Sequence, residues 1–199
     1  GNSIWSVRIV VTKPSPNQIS LFLTTISLKL GWRLSSSGSA IGSVISGPGT
    51  PRHWVETHMA AMLYHEGIWT GTYRHIAEDN TVLDEHQSRV TCEFPDHGEA
   101  AYRQASIFNW SDGRHQEQVF LGYMRGDRMW FDTDTFAGWA WQTGDDIVML
   151  SLDRKDLPGQ RFVETILIGD NRDRRVRTWH WFDEGVCYKR TLCTETRQS

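Results

Sequence analysis

The spacing of apolar residues along the chain changes at Gly67. Ahead of it, His53 to Tyr64 (HWVETHMAAMLY) sets Trp54, Val55, His58, Met59, Met62 and Leu63 at helical intervals. Pro51 suits the first turn of such a helix, and Gly67 can take the left-handed conformation that ends one. Beyond Gly67 the period becomes two. Ten segments then read as short strands: Gly67–Ile76, Glu85–Phe94, Ala101–Trp110, Gln116–Met124, Arg128–Asp132, Phe136–Gln142, Ile147–Leu152, Arg161–Ile168, Arg174–Phe182 and Val186–Thr194. The residues between them carry hairpin chemistry, as in Asp79-Asn80, Ser111-Asp112-Gly113, Arg125-Gly126-Asp127, Thr143-Gly144-Asp145 and Asp183-Glu184-Gly185. None of these gaps can hold a parallel crossover, so the strands form an antiparallel meander. Closing the meander removes both exposed edges, and its even spacing favours closure. The predicted fold is mostly β: a single up-and-down antiparallel barrel of about ten strands with a short N-terminal helix.

Residues 1–50 follow no such rhythm, and residues 51–199 are assigned to the barrel domain. Ser3 to Lys13 alternates weakly and reads as a strand, and Pro14 to Asn17 as a turn. Ile19 to Leu30 is apolar, but Thr24, Thr25, Ser27 and Lys29 dilute it, which weakens its reading as a signal peptide. Ser35 to Pro51 has the Gly/Ser-rich composition of a linker. The expected organisation is an N-terminal appendage tethered to a compact barrel.

Composition narrows the class. With 39% hydrophobic and 23% charged residues, the chain can bury a core. A net charge of −3 supplies no overall field for nucleic acid. No run of about 18 apolar residues is present, which excludes a membrane-spanning helix of that kind. Three cysteines are too few for a disulfide framework, so a reducing, cytoplasmic setting is expected and each thiol reads as a small hydrophobe. A nucleophile elbow, a Cys-x-x-Cys pair, a phosphate loop and a dinucleotide fingerprint are all missing from the sequence. The eight histidines are scattered, and a metal site would need three to converge from separate elements, so none is expected.

The ten tryptophans are the compositional anomaly. Taking Trp69 as inward, period two turns Gly71, Tyr73 and His75 the same way. The same rule groups Arg175, Arg177, Trp179 and Trp181, then Trp139 with Trp141, then Tyr102, Gln104, Ser106, Phe108 and Trp110, and finally His86, Ser88, Val90, Cys92 and Phe94. Faces that mix aromatic with polar groups suit a cavity with polar anchors better than a solid aliphatic filling. Glu164 shares its face with Phe162, Ile166 and Ile168, and a buried carboxyl there would have a raised pKa suited to acid–base work. The candidate ligand contacts are Tyr73, His86, Tyr102, Gln104, Phe108, Trp139, Trp141, Glu164, Arg177, Trp179 and His180. Parity does not say which face of each strand is inside. Plainer roles compete: an exterior Trp would cover a helix or a homodimer face, Tyr102 and Gln104 would pair across strands, and the run from Arg172 to Arg177 would be a solvated hairpin.

Gly67-Ile68-Trp69-Thr70-Gly71-Thr72-Tyr73, directly after a short helix, resembles the start of the barrel in the calycin superfamily, which includes lipocalins, fatty-acid-binding proteins and nitrobindins. The resemblance implies that Trp69 plugs one end and that an Arg of the last strand packs over its indole. Arg190 in Val186–Leu192 is the matching residue, with a contact worth roughly 0.5–2 kcal/mol. With Phe108–Gly113 and Arg177–Phe182 added, residues 52–196 look similar to an uncharacterised calycin branch near the phycobiliprotein lyases. The disulfide of secreted lipocalins and the haem-ligating C-terminal segment of nitrobindins have no counterpart, so haem is not implied and no cofactor is specified. The function implied is the holding of a hydrophobic or aromatic small molecule inside the barrel. The alternative is a barrel enzyme of isomerase, lyase or cyclase type, using groups such as His86, Tyr102, Glu164, Arg177 and His180.

Overall fold

Thr50 starts the helical segment: its Oγ1 accepts from the His53 N–H at 3.2 Å, and Pro51 fills the first helical position, where a missing N–H costs nothing. The segment is two helices rather than the single one predicted, α1 (Pro51–His58) and α2 (Ala60–Leu63). They part at Met59, whose backbone leaves the helical conformation and whose side chain is fully buried. The break lets the Ala61 N–H reach Gln142 Oε1 at 2.8 Å, tying α2 to the barrel wall.

The computed structural model describes residues 49–199. The readings of Ser3–Lys13, Pro14–Asn17 and Ile19–Leu30, and most of the linker, lie outside the described residues. The strands are β1 (Gly67–Ala77), β2 (Val82–Glu93), β3 (Tyr102–Asn109), β4 (His115–Arg125), β5 (Arg128–Asp132), β6 (Phe136–Thr143), β7 (Ile147–Arg154), β8 (Gln160–Ile168), β9 (Arg174–Asp183) and β10 (Val186–Gln198). All neighbours are antiparallel and follow chain order, and β1 pairs with β10 to close the barrel. Two boundaries differ from the prediction in ways that matter. β2 begins at Val82 and so takes in Asp84, and β10 runs on to Gln198 and so takes in Glu195 and Arg197. Among the described residues no helix is long and apolar enough to cross a membrane.

Burial alternates along the strands, and β1 gives the axis of the interior. Trp69, Gly71, Tyr73 and His75 point inward in turn, from the end covered by the helices to the opposite mouth. Gly71 is required by close approach: a Cβ there would lie 2.1 Å from the Thr194 carbonyl oxygen of β10. The apolar core runs from the helices (Val55, Met59, Met62) into the barrel, where the β5 to β8 wall contributes the buried Met129, Phe131, Ala140, Val148, Leu152 and Ile166.

Candidate functional site

At the helix end, Trp69 is fully buried and its Nε1 donates to the His65 carbonyl oxygen at 2.8 Å. Two guanidiniums lie against the indole, Arg175 at 4.5 Å and Arg197 at 4.4 Å from the ring centre. Arg197 also donates to the Tyr64 and Glu66 carbonyl oxygens, which pins the chain between α2 and β1. The arginine implied by the family resemblance is therefore Arg197, not Arg190. Arg190 pairs with Ile76 at the far end of β1, where its Nη2 donates to Asn80 Oδ1 at 2.6 Å. The displacement follows from the longer β10, which carries the chain back past Trp69.

The His65 ring is buried beside this cluster, and neither nitrogen has a hydrogen-bond partner among the described residues. Burial, reinforced by Arg175, Arg177 and Arg197, holds its pKa well below the usual 6.5. A histidine kept neutral by the fold binds its proton more readily once unfolded. Its stabilising effect is thus complete above about pH 6.5 and is lost as pH falls toward the folded-state value. Urea unfolding at pH 7.5 and pH 5.5 is expected to show wild-type protein losing stability over this interval, with a smaller loss in His65→Gln.

The middle of the barrel holds two ion pairs with almost no exposure. Arg175 pairs with Glu195, and Arg177 Nε donates to Glu164 Oε1 at 2.6 Å. Arg177 Nη1 also donates to the Tyr73 hydroxyl oxygen at 2.8 Å, and its guanidinium lies 4.6 Å from the Trp179 ring. Burial pushes the Glu164 carboxyl above its ordinary range, against the pull of Arg177. Burial likewise raises the Tyr73 and Tyr102 phenols, so both remain neutral hydrogen-bonding groups at physiological pH. Tyr102 places its hydroxyl 3.0 Å from Gln104 Oε1 and 3.2 Å from Cys92 Sγ.

Above this layer lies a cavity of about 280 Å³. Its walls include Tyr73, Phe108, Trp110, Phe136, Phe162, Trp179 and Trp181, with polar groups from His75, His86, Gln104, Gln116, Gln118 and Thr191. A smaller space of about 70 Å³ adjoins it through shared walls at Gln104, Phe120 and Phe162, and is lined by Met62, Tyr102 and Glu164 among others. The aromatic rings brace one another. His86 stacks on Tyr73 at 5.3 Å between centroids and lies edge-on to Phe108 at 5.1 Å, and Phe162 meets Trp181 at 4.8 Å.

At the mouth, Asp84 accepts from Trp110 Nε1 at 2.9 Å and sits 2.9 Å from His86 Nδ1, with Arg114 at 3.3 Å. Burial opposes the Asp84 carboxylate, but these hydrogen bonds outweigh it and hold its pKa below the ordinary value. His75 Nδ1 lies 2.7 Å from Thr191 Oγ1, which also accepts from Trp181 Nε1 at 2.9 Å. Burial, Lys189 and His86 lower the His75 pKa to about 4, so this ring is neutral at physiological pH.

The structure brings Tyr73, His86, Gln104, Phe108 and Trp179 together around the larger cavity, and Tyr102 and Glu164 around the smaller, with Arg177 buried beside Tyr73. Three residues from the sequence-based set lie elsewhere. Trp139 meets Trp130 at a tilt, 5.1 Å between ring centres, under Arg128 on the outer face, and Trp141 shares its parity. His180 is exposed, on the opposite face of β9 from Trp179. In β6 the inward positions belong to Gly138 and Ala140, which pair across the strands with the buried Phe131 and Met129 of β5. Asp84 and Thr191 went unrecognised in the sequence. The signal that finds them is register, since His75 lies directly opposite Asp84 on β2 and opposite Thr191 on β10.

A closed ten-stranded antiparallel barrel, plugged by a tryptophan and preceded by a short helical segment, defines a calycin-like fold. Two solved structures share it. One is a protein of unknown function from the DUF3598 family of Nostoc punctiforme, 21% identical over 69% of this chain with a TM-score of 0.55; the match covers 49% of that protein, so this chain spans about half its length. The other is an S-type phycobiliprotein lyase from Guillardia theta, 14% identical over 69% of this chain and 90% of the lyase, with a TM-score of 0.54. No protein-family model matches the sequence, and no curated protein does.

Proposed function

We propose that the barrel is a small-molecule binding protein whose interior takes a flat apolar ligand, aromatic or polyene-like, fixed by a few polar groups. The observation that carries this reading is the composition of the 280 Å³ cavity, where Tyr73, Phe108, Trp179 and Trp181 face polar groups at Gln104 and His86. Such walls favour planar ligands through area burial and stacking, and the volume lies near the lower end for small-molecule sites. The ion pairs below are internally balanced, so the polar contacts on offer are mainly neutral ones. Titration with a panel of hydrophobic fluorophores, read by intrinsic Trp emission, tests the reading. A saturable quench or shift is expected, weakened at least about tenfold by Trp179→Ala and left unchanged by Trp139→Ala on the outer face. Absence of a saturable change for every probe, or equal loss in both variants, would overturn it.

One observation favours acid–base catalysis on the same barrel: Glu164 is only 1% exposed, and burial raises its carboxyl pKa. On that reading a bound substrate leaves chemically changed, and Glu164→Gln abolishes the change while the fluorescence titration persists.

A further inference from the structure

We propose that His75, Asp84 and His86 form a binding site for a divalent first-row transition-metal ion at the cavity mouth. One potential ligand atom from each of the three lies within 4.8 Å of the other two. The barrel's register produces this convergence: His75 on β1 is directly opposite Asp84 on β2, and His86 follows two residues later on the same face. All three positions sit on paired strands, where the backbone gives little play.

The donor chemistry is specific. Two imidazoles and one carboxylate suit Fe(II), Co(II), Ni(II), Cu(II) or Zn(II), whereas Mg(II) and Ca(II) prefer oxygen donors throughout. The 2.9 Å separation of His86 Nδ1 and Asp84 Oδ2 is a hydrogen-bond length. It is also close to the spacing of two adjacent ligands held about 2.1 Å from one ion at a right angle, which is about 3 Å. The ion can therefore take the place of the hydrogen bond between these two β2 side chains.

The surroundings also fit. Ligating histidines commonly use their second ring nitrogen to hold an oriented hydrogen bond, and ligating carboxylates are themselves hydrogen-bonded. Here Thr191 Oγ1 lies 2.7 Å from His75 Nδ1, and Trp181 fixes that hydroxyl by donating to it. In the tautomer that donates from Nδ1 to Thr191, His75 has a free Nε2 lone pair for the ion. Trp110 Nε1 holds both Asp84 oxygens at 2.9 Å. Arg114, 3.3 Å from Asp84, opposes the added charge and moderates the affinity. His75 and His86 also line the cavity, so coordination positions not taken by protein open toward an oxygen or nitrogen of a bound molecule. This inference does not depend on the ligand reading above, because the ion needs only the three side chains.

Tag-free full-length protein titrated with Co(II), read by visible absorption and by quenching of Trp emission, gives the test. One saturable site per chain is expected, with Zn(II) displacing Co(II). His75→Ala and His86→Ala should each weaken binding at least about tenfold, Thr191→Val by roughly tenfold through loss of the orienting contact, and His180→Ala on the outer face not at all. Anomalous scattering from a Co(II)-loaded wild-type crystal should place the ion between the three side chains, which decides the matter even where a variant fails to fold. Absence of saturable uptake by wild type, unchanged uptake in the His75 and His86 variants, or an ion located elsewhere would overturn the proposal.

Discussion

Replacing Arg177 by Met is expected to cost about 3–5 kcal/mol of unfolding free energy, because it leaves a buried carboxylate without its partner. Arg177 is fixed from two sides, by Glu164 at 2.6 Å and by the Tyr73 hydroxyl at 2.8 Å. Removing the guanidinium leaves both groups without their partner inside the barrel, and leaving a buried polar group unpaired costs more than the net worth of the bond. Glu164→Leu should destabilise by a similar amount, since Arg177 would keep only the neutral tyrosine. The double variant Glu164→Leu/Arg177→Met removes both charges and puts apolar volume in their place. It is expected to recover most of the loss, since apolar replacement of a whole buried pair is often neutral or better. Urea unfolding of the four proteins completes the cycle. Single variants that each cost less than about 1 kcal/mol, or a double variant as unstable as the sum of the two, would show that the pair does not act as a unit.

Trp69→Ala is expected to cost about 3–5 kcal/mol as well, and to lower the melting temperature by roughly 10 °C. The indole is fully buried, so its removal leaves a cavity at the closed end of the barrel. The same change removes the π surface that the Arg175 and Arg197 guanidiniums both contact. Trp69→Phe keeps an aromatic ring beside the two arginines but loses the donor to the His65 carbonyl oxygen, and should cost about 1–3 kcal/mol. Equal melting temperatures for wild type and Trp69→Ala would remove the plug from the account.

The barrel was legible in the sequence because two independent signals agree. Period-two alternation sets the strands, and turn residues between them leave no room for a crossover. Parity also found most of the interior: once Trp69 is inward, Tyr73 and His75 follow, and the grouping of Arg177 with Trp179 holds in the structure. It failed at β6, where the bulky pair Trp139 and Trp141 looked like core. Their inward neighbours are Gly138 and Ala140, and at Gly138 a side chain has no room because its Cβ would lie 2.1 Å from the Ser151 carbonyl oxygen of β7. A single strand carries no record of what its neighbours place inside. The site at the mouth and the arginine over the plug were hidden for another reason. Asp84 falls one residue before the predicted start of its strand, and Arg197 three residues beyond the predicted end of the last one. Strand ends are where the local pattern is weakest. Both residues matter through cross-strand register, which pairs Asp84 with His75 and Arg197 with Trp69.

The central claim is that the aromatic cavity, and not the outer tryptophan face, receives an apolar small molecule. A crystal structure of wild-type protein with the tightest-binding fluorophore of the panel tests it most directly. The account predicts the fluorophore inside the barrel, stacked among Tyr73, Phe108 and Trp179 and within hydrogen-bond reach of Gln104 or His86. A fluorophore seated on Trp130 and Trp139 outside the barrel, with side chains filling the interior, would contradict it.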